Sequence, residues 1–479
     1  EKMMTLASIS DGYFTSTILV GSLLLPAIVI FSSSRKDKSS SNSNCAEAPT
    51  SSFENNAQLS SGKCPFFLLD TMRALKSDIY KLKLPILSGS VWYIIGNAEA
   101  SREILLDETT VKPSFGGTPN LFSRASKDPK WYHVRKTAAP AFSSSEVKRM
   151  NAVCKSSLEA WIEERLEPFI DSGDTFDPSK EMTYLTYKVI LEAAFEYENA
   201  SHQEYEIYHR DLEKTVKEFV FQSPFRPLFG LFKPARRRAF KAAKDKRTFI
   251  AKILEQYRNN PNKSDNNTII RLIESSDTLS EQEKISELDS FLTAGHDTTG
   301  YSLANILVLM AKHPEEAEKL KKDLVSAEMM NEGKPLGTGS KYLKNVIQEG
   351  ARLMPTSATG SIRVTKKDFV FRDGSLVVPK NSIIMSPFLL SHRSDEYFEE
   401  PDEFRPGRWV DASKEMKNAV MPFSLGKRNC IGQRLATTEL NSCLPILLSK
   451  YKFELVEEGE PEFFLTLRYT GAKLRAMRI

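Results

Sequence analysis

Ten residues, Phe423-Ser424-Leu425-Gly426-Lys427-Arg428-Asn429-Cys430-Ile431-Gly432, put one cysteine in a small basic loop just ahead of a helical pattern. Cysteine binds metal as its thiolate. Held in such a loop, Cys430 can ligate haem iron axially and push electron density onto bound oxygen. Gly426 and Gly432 allow a tight turn and a close backbone approach to a cofactor. Backbone N–H groups crowded around the sulfur stabilise the thiolate from outside the ligand set. Phe423 can shield the sulfur from water, and Arg428 can neutralise a carboxylate on the macrocycle. A lone cysteine is ordinarily a small buried hydrophobe. The spacing F-x-x-G-x-R-x-C-x-G, however, arises by chance in far fewer than roughly one in a thousand chains of this length.

Two further groupings have the residue types for chemistry or for holding it. Ala294-Gly295-His296-Asp297-Thr298-Thr299 sets an acid beside alcohols in the middle of a long helical pattern. An acid beside an alcohol can relay protons to a reacting group. Glu349 and Arg352 stand three apart on one helical face. The same spacing at Glu146–Arg149 and Glu255–Arg258 reads as ordinary surface pairs. His296 reads as a flanking residue, because neither H-E-x-x-H nor another metal-ligand spacing occurs.

The cysteine loop closely resembles that of the cytochrome P-450 family, the haem-thiolate monooxygenases. The likeness covers about residues 63–479, and its best motifs occur in the family's order. It implies heme b with Cys430 as axial thiolate, O2 as co-substrate, Thr298 at the oxygen and Asp297 as a proton relay. Glu349, Arg352 and Arg408 match the family's buried network, with Gly407 where the family commonly has Glu. Trp131-Tyr132-His133-Val134-Arg135 resembles the segment whose Trp and Arg face a haem propionate. Trp161–Arg165 has the same spacing but lacks the following Pro140-Ala141-Phe142. Arg363 resembles a third propionate partner, beside Arg428. No flavin or ferredoxin-like segment is visible, so the resemblance implies an NADPH-dependent flavoprotein reductase as partner, docking near Lys427 and Arg434. Two alternatives stay open: a reductase-independent haem-thiolate isomerase or peroxygenase, and a haem-binding sensor or carrier without turnover. The substrate expected is lipophilic.

These residues need elements to position them. Ser280 and Glu283 form a capping box, the apolar stripe runs from Ile285 to Met310, and Pro314 ends it. That predicts one helix of roughly 48 Å crossing the domain, with Gly295 letting it open midway. Val91–Ile95, Phe369–Phe371, Ser375–Pro379 and Ser382–Met385 read as short strands. The fold class is mainly α with minor β sheets, and the resemblance makes it the P-450 fold with a long central helix over haem.

The chain has 479 residues and a formal charge of +4, which makes no demand for nucleic acid. Its five cysteines contain no C-x-x-C pair. After a tail over 1–12, residues 13–31 are apolar and uncharged, and nineteen helical residues span about 28 Å. With Arg35, Lys36 and Lys38 behind them they read as a transmembrane anchor with a cytosolic body, a cleaved signal peptide being the competing reading. The resulting location is the endoplasmic reticulum, with the plastid envelope as alternative. Residues 32–62 read as a flexible linker and 63–479 as the catalytic domain. The aromatic run Phe219–Phe232 and the basic residues after it suit a membrane interface or a buried helix pair equally.

Overall fold

The computed structural model describes residues 45–84, 91–114, 119–198, 200–219, 234–330 and 334–479. The anchor segment 13–31 and the aromatic residues 220–232 lie outside them. Among the described residues, no helix is long and apolar enough to cross a membrane.

The expected central helix forms over Glu281–Lys312. Ser280 Oγ accepts from the Glu283 N–H, while Glu283 Oε2 accepts from the Ser280 N–H at 3.0 Å, so both partners of the capping box are engaged. His313 caps the other end ahead of Pro314. Leu288, Leu292, Leu303 and Leu307 are fully buried along it. It packs against the Pro178–Phe195 helix and against Gln433–Lys450, the helix that follows Cys430. The approach to Pro178–Phe195 is close because Gly300 has no side chain: a Cβ there would stand 2.6 Å from Thr183 Cα.

A six-stranded mixed sheet flanks this helical body. Its strands are β1 (Ala46–Glu47), β2 (Ile79–Lys83), β3 (Val91–Ile95), β4 (Thr110–Val111), β5 (Ser361–Thr365) and β8 (Ile383–Ser386). The order is β1-β2-β3-β8-β5-β4. Antiparallel pairing of Val111 with Val364 brings Lys112, just past β4, beside Arg363 on β5. A hairpin of β6 (Phe369–Val370) and β7 (Val377–Val378) covers the sheet's flank. The C-terminal strands β9 (Tyr451–Glu457) and β12 (Lys473–Arg478) pair with each other and enclose the hairpin of β10 (Glu460–Phe463) and β11 (Leu467–Thr470).

The flexible linker expected over 32–62 is shorter than that on its described side. β1 pairs in parallel with β2. Ser51 caps a helix over Ser52–Leu59, and the buried Asn55 donates to the Lys83 carbonyl at 2.8 Å. Composition alone misses these partners because they lie roughly 30 residues further on.

Candidate functional site

The cysteine loop is closed by its own backbone. The Cys430 N–H donates to the Phe423 carbonyl at 2.9 Å and the Asn429 N–H to Gly426 at 3.1 Å. Gly426 has φ +72°, and a Cβ there would lie 2.8 Å from the Leu105 carbonyl oxygen, so glycine is required on both counts. The half-buried Phe423 lies at the loop's start. The Gly432 N–H lies on the side of the loop that favours the thiolate. A Cβ on Gly432 would stand 3.9 Å from Cys430 Sγ and 3.8 Å from the Phe142 ring. Cys430 is exposed, yet burial among surrounding protein pushes its thiol up from the ordinary value, against the Gly432 N–H and Arg135, which pull it down. The two facts agree if the sulfur lies on the floor of a concavity, open on one side. Left to itself it is a thiol, and a bound cation would make it a thiolate.

Cations gather beside it. Asp128 caps the Pro129–Ala138 helix, which carries the buried Trp131 and, one turn on, Arg135. Arg135 Nη1 donates to the Asn429 carbonyl at 2.9 Å. The Arg428 guanidinium lies 4.0 Å over the Trp131 ring. Arg363 is buried on β5, where Nη1 donates to the Ile362 carbonyl. Among the described residues, no carboxylate lies within ion-pair distance of Arg135, Arg363 or Arg428. Burial holds Arg363 down to about 10. Burial, with Arg363 and Arg135, pushes Arg428 down to about 9. Burial, with the same Arg428 and Arg363, pushes Lys112 to about 7. Partly buried cations that repel one another mark a place built for an anion of more than one charge. Such a group beside a thiol that awaits a metal fits a haem carrying two propionates.

The central helix supplies a second wall. The Phe291 ring on that helix lies 6.5 Å from the Phe142 ring, which faces Gly432. In the middle of this helix, between buried neighbours, Ala294 is exposed and Thr298 half-buried. Thr298 Oγ1 donates to the Ala294 carbonyl at 2.8 Å. Asp297 is buried, and its Oδ2 accepts from Thr466 at the tip of the β10–β11 hairpin at 3.0 Å. Burial pushes its carboxyl up to about 6, partly countered by Arg468 and Thr466. The helix is continuous through Gly295, so the opening expected there is absent. Gly295 instead admits Ile190 of the neighbouring helix, whose Cδ1 would lie 2.0 Å from an added Cβ.

A family model described as Cytochrome P450 matches residues 70–473. The chain belongs to the cytochrome P450 family. It is 29% identical over 351 residues to the probable cytochrome P450 4e1 of Drosophila melanogaster, covering 67% of this chain and 65% of that one. It is 28% identical over 363 residues to cytochrome P450 3A14 of Cavia porcellus, covering 70% of each. Over 186 residues it is 35% identical to the cytochrome P450 monooxygenase BOT4 of Botryotinia fuckeliana, which is 38% of this chain and 34% of that one. The match thus spans about a third of the Botryotinia relative and just under two thirds of the Drosophila one.

The motif residues distant from the sulfur form a buried network. Glu349 and Arg352 have no exposed side-chain surface and pair at 2.8 Å, and Arg408 Nε reaches Glu349 at 3.0 Å. Sequence reasoning missed two further donors to Glu349, Trp409 Nε1 at 2.9 Å and the Arg405 N–H at 2.8 Å. Arg352 also donates to the carbonyls of His392 and Glu403. Gly407 faces open space, so the family's Glu would fit there without displacing anything. The competing Trp161 and Arg165 both donate to Glu181 and belong to a different cluster. The Glu146–Arg149 pair, expected on the surface, has Glu146 buried. Arg258 pairs with Glu274 and Glu281, not with Glu255. His296 is buried against the rings of Tyr187 and Tyr208. Sequence reasoning also missed Lys112 and Glu439. Glu439 is buried on the cysteine helix, and burial pushes its carboxyl up to about 8 against the opposing pull of Thr299.

Proposed function

We propose that the protein is a haem-thiolate monooxygenase that inserts one atom of O2 into a lipophilic substrate, using electrons from a separate NADPH-dependent flavoprotein reductase. The observation that carries this reading is the set of three arginines, Arg135, Arg363 and Arg428, that have no carboxylate partner among the described residues and gather around the Cys430 loop. Cys430 would hold the iron, with Arg135, Arg363, Arg428 and Trp131 receiving the propionates. When bound, the haem supplies oxygen activation.

The chain's own part is to place protons and exclude water. Thr298 presents its hydroxyl on the exposed face of the central helix. Asp297, raised to about 6, exchanges a proton near neutrality and would recharge Thr298. Gly426, Gly432 and Phe423 hold the loop and cover the sulfur. Glu349, Arg352 and Arg408 brace the segment leading to it and take no part in the chemistry. Residues 13–31 would anchor the protein in the endoplasmic reticulum or a plastid envelope with the catalytic domain in the cytosol. The exposed Lys427 and Arg434 belong to the reductase dock.

NADPH consumption by the full chain with reductase, across a panel of fatty acids, sterols and terpenoids, tests this. A hydroxylated or epoxidised product is expected, and Thr298→Ala should divert electrons to hydrogen peroxide. Product formed without NADPH would favour the isomerase or peroxygenase. Haem binding with no NADPH consumption on any substrate would favour the sensor or carrier.

A further inference from the structure

One cofactor-site cation is held by backbone from a segment that is itself held from elsewhere. Arg428 donates from Nε to Ser126 Oγ at 3.3 Å, from Nη1 to the Leu121 carbonyl at 3.2 Å, and from Nη2 to the Arg124 carbonyl. A guanidinium has five N–H donors, so one remains on each Nη for an anion. Residues 121–126 therefore decide where that pair of N–H groups points.

That segment is fastened to the first half of the central helix by two carboxylates, the fully buried Glu287 and, beside it, Glu283. Glu287 Oε2 accepts from the Leu121 N–H at 2.7 Å, and Glu287 Oε1 takes Arg124 Nη1. Arg124 Nη2 reaches Glu283 Oε1 at 3.1 Å, and Lys130 secures the same oxygen at 2.8 Å. The Arg124 side chain is 1% exposed and that of Glu287 0%. Both residues that Glu287 grips, Leu121 and Arg124, turn their carbonyls to Arg428. A buried ion pair is weak as a source of stability, since apolar residues of similar size often serve as well. What it provides here is a fixed position for two carbonyls that face a cofactor cation.

We propose that Glu287 and Arg124 are positioning residues for the cofactor: by pinning residues 121–126 to the central helix they aim the free N–H pair of Arg428 at a haem carboxylate. This rests on the haem-binding reading above. Neither side chain touches the cofactor, and both act through Arg428.

The test uses the full chain with haem bound and compares Glu287→Gln and the milder Arg124→Lys with a remote control, Glu181→Gln. The control disturbs the carboxylate that binds Trp161 and Arg165. Haem transfer to excess apo-globin, the reduction midpoint and denaturant unfolding are measured for each. Haem loss should accelerate about 10- to 100-fold in the first two variants, the range for losing a partner behind a ligand. Their midpoints should shift, while the control keeps wild-type haem loss even where its stability falls. Arg428→Lys should also lose haem faster, and adding Glu287→Gln to it should bring little more, because both act on one contact. Wild-type haem retention in Glu287→Gln and Arg124→Lys, retention that merely tracks stability as in the control, or full additivity with Arg428→Lys would each overturn the proposal. A wild-type chain that binds no haem overturns the underlying reading, and the wild-type arm shows this before any variant is compared.

Discussion

Glu439 is a carboxylic acid whose ionisation departs far from habit. Burial pushes its carboxyl from the ordinary 4.5 up to about 8, with the Thr299 hydroxyl pulling the other way. The folded chain thus keeps a proton that the unfolded chain releases. Its contribution to stability is full below pH 4.5, is lost as pH rises toward about 8, and is level beyond that. Glu439→Gln keeps the neutral shape and removes the proton. The denaturant midpoint of the wild type relative to this variant should therefore fall between pH 5 and pH 8. A constant difference between the two would show that Glu439 is not protonated. No spacing in the sequence announces this residue, because its partner Thr299 lies 140 positions earlier on another helix. Cys430, by contrast, is legible because everything that shapes its loop is within ten residues.

At the scale of elements, the central helix approaches Pro178–Phe195 closely. Gly300→Ala would place a methyl 2.6 Å from Thr183 Cα and 2.8 Å from Thr186 Oγ1. Backbone cannot yield as a side-chain tip can, so the change should cost about 1–3 kcal/mol. Gly407→Ala, facing open space, should stay within about 0.5 kcal/mol. Denaturant unfolding of both variants checks this, and equal effects would contradict the packing described here. The helix itself was legible from end to end: a cap at Ser280, a stripe, and a stop at Pro314 are all local signals. The role of Gly295 was not, since helix opening and helix contact ask for the same residue, and only the neighbour Ile190 decides between them. Glu349 is an intermediate case. Its pairing with Arg352 is three residues long, whereas Trp409 and the Arg405 N–H arrive from a segment more than fifty residues on. The β10–β11 hairpin that meets Asp297 through Thr466 left no such signal.

For the whole molecule, the cysteine loop lies between a buried face that would receive haem and an exposed edge bearing Lys427 and Arg434. Lys427 is 79% exposed and pairs with the equally open Glu108, a contact worth little that a partner can displace. Lys427→Glu with Arg434→Glu should slow electron transfer from the reductase, most at low salt, and leave the haem spectrum unaltered. Stopped-flow reduction at two ionic strengths measures this, and unchanged rates would remove these residues from the dock. Family and architecture were readable from the motif order, whereas the cation cluster needed the fold. Lys112 joins Arg363 only because β4 pairs with β5 across some 250 residues. Arg428 is oriented by carbonyls about 300 residues away.

The proposed chemistry depends most on Cys430 as the iron ligand. The reduced, carbon monoxide-bound difference spectrum of the full chain, beside Cys430→Ala, tests that directly. A Soret band at about 450 nm in the wild type, lost in the variant, is the predicted result. A band at about 420 nm in both, or no haem in the wild type, would contradict thiolate ligation by Cys430.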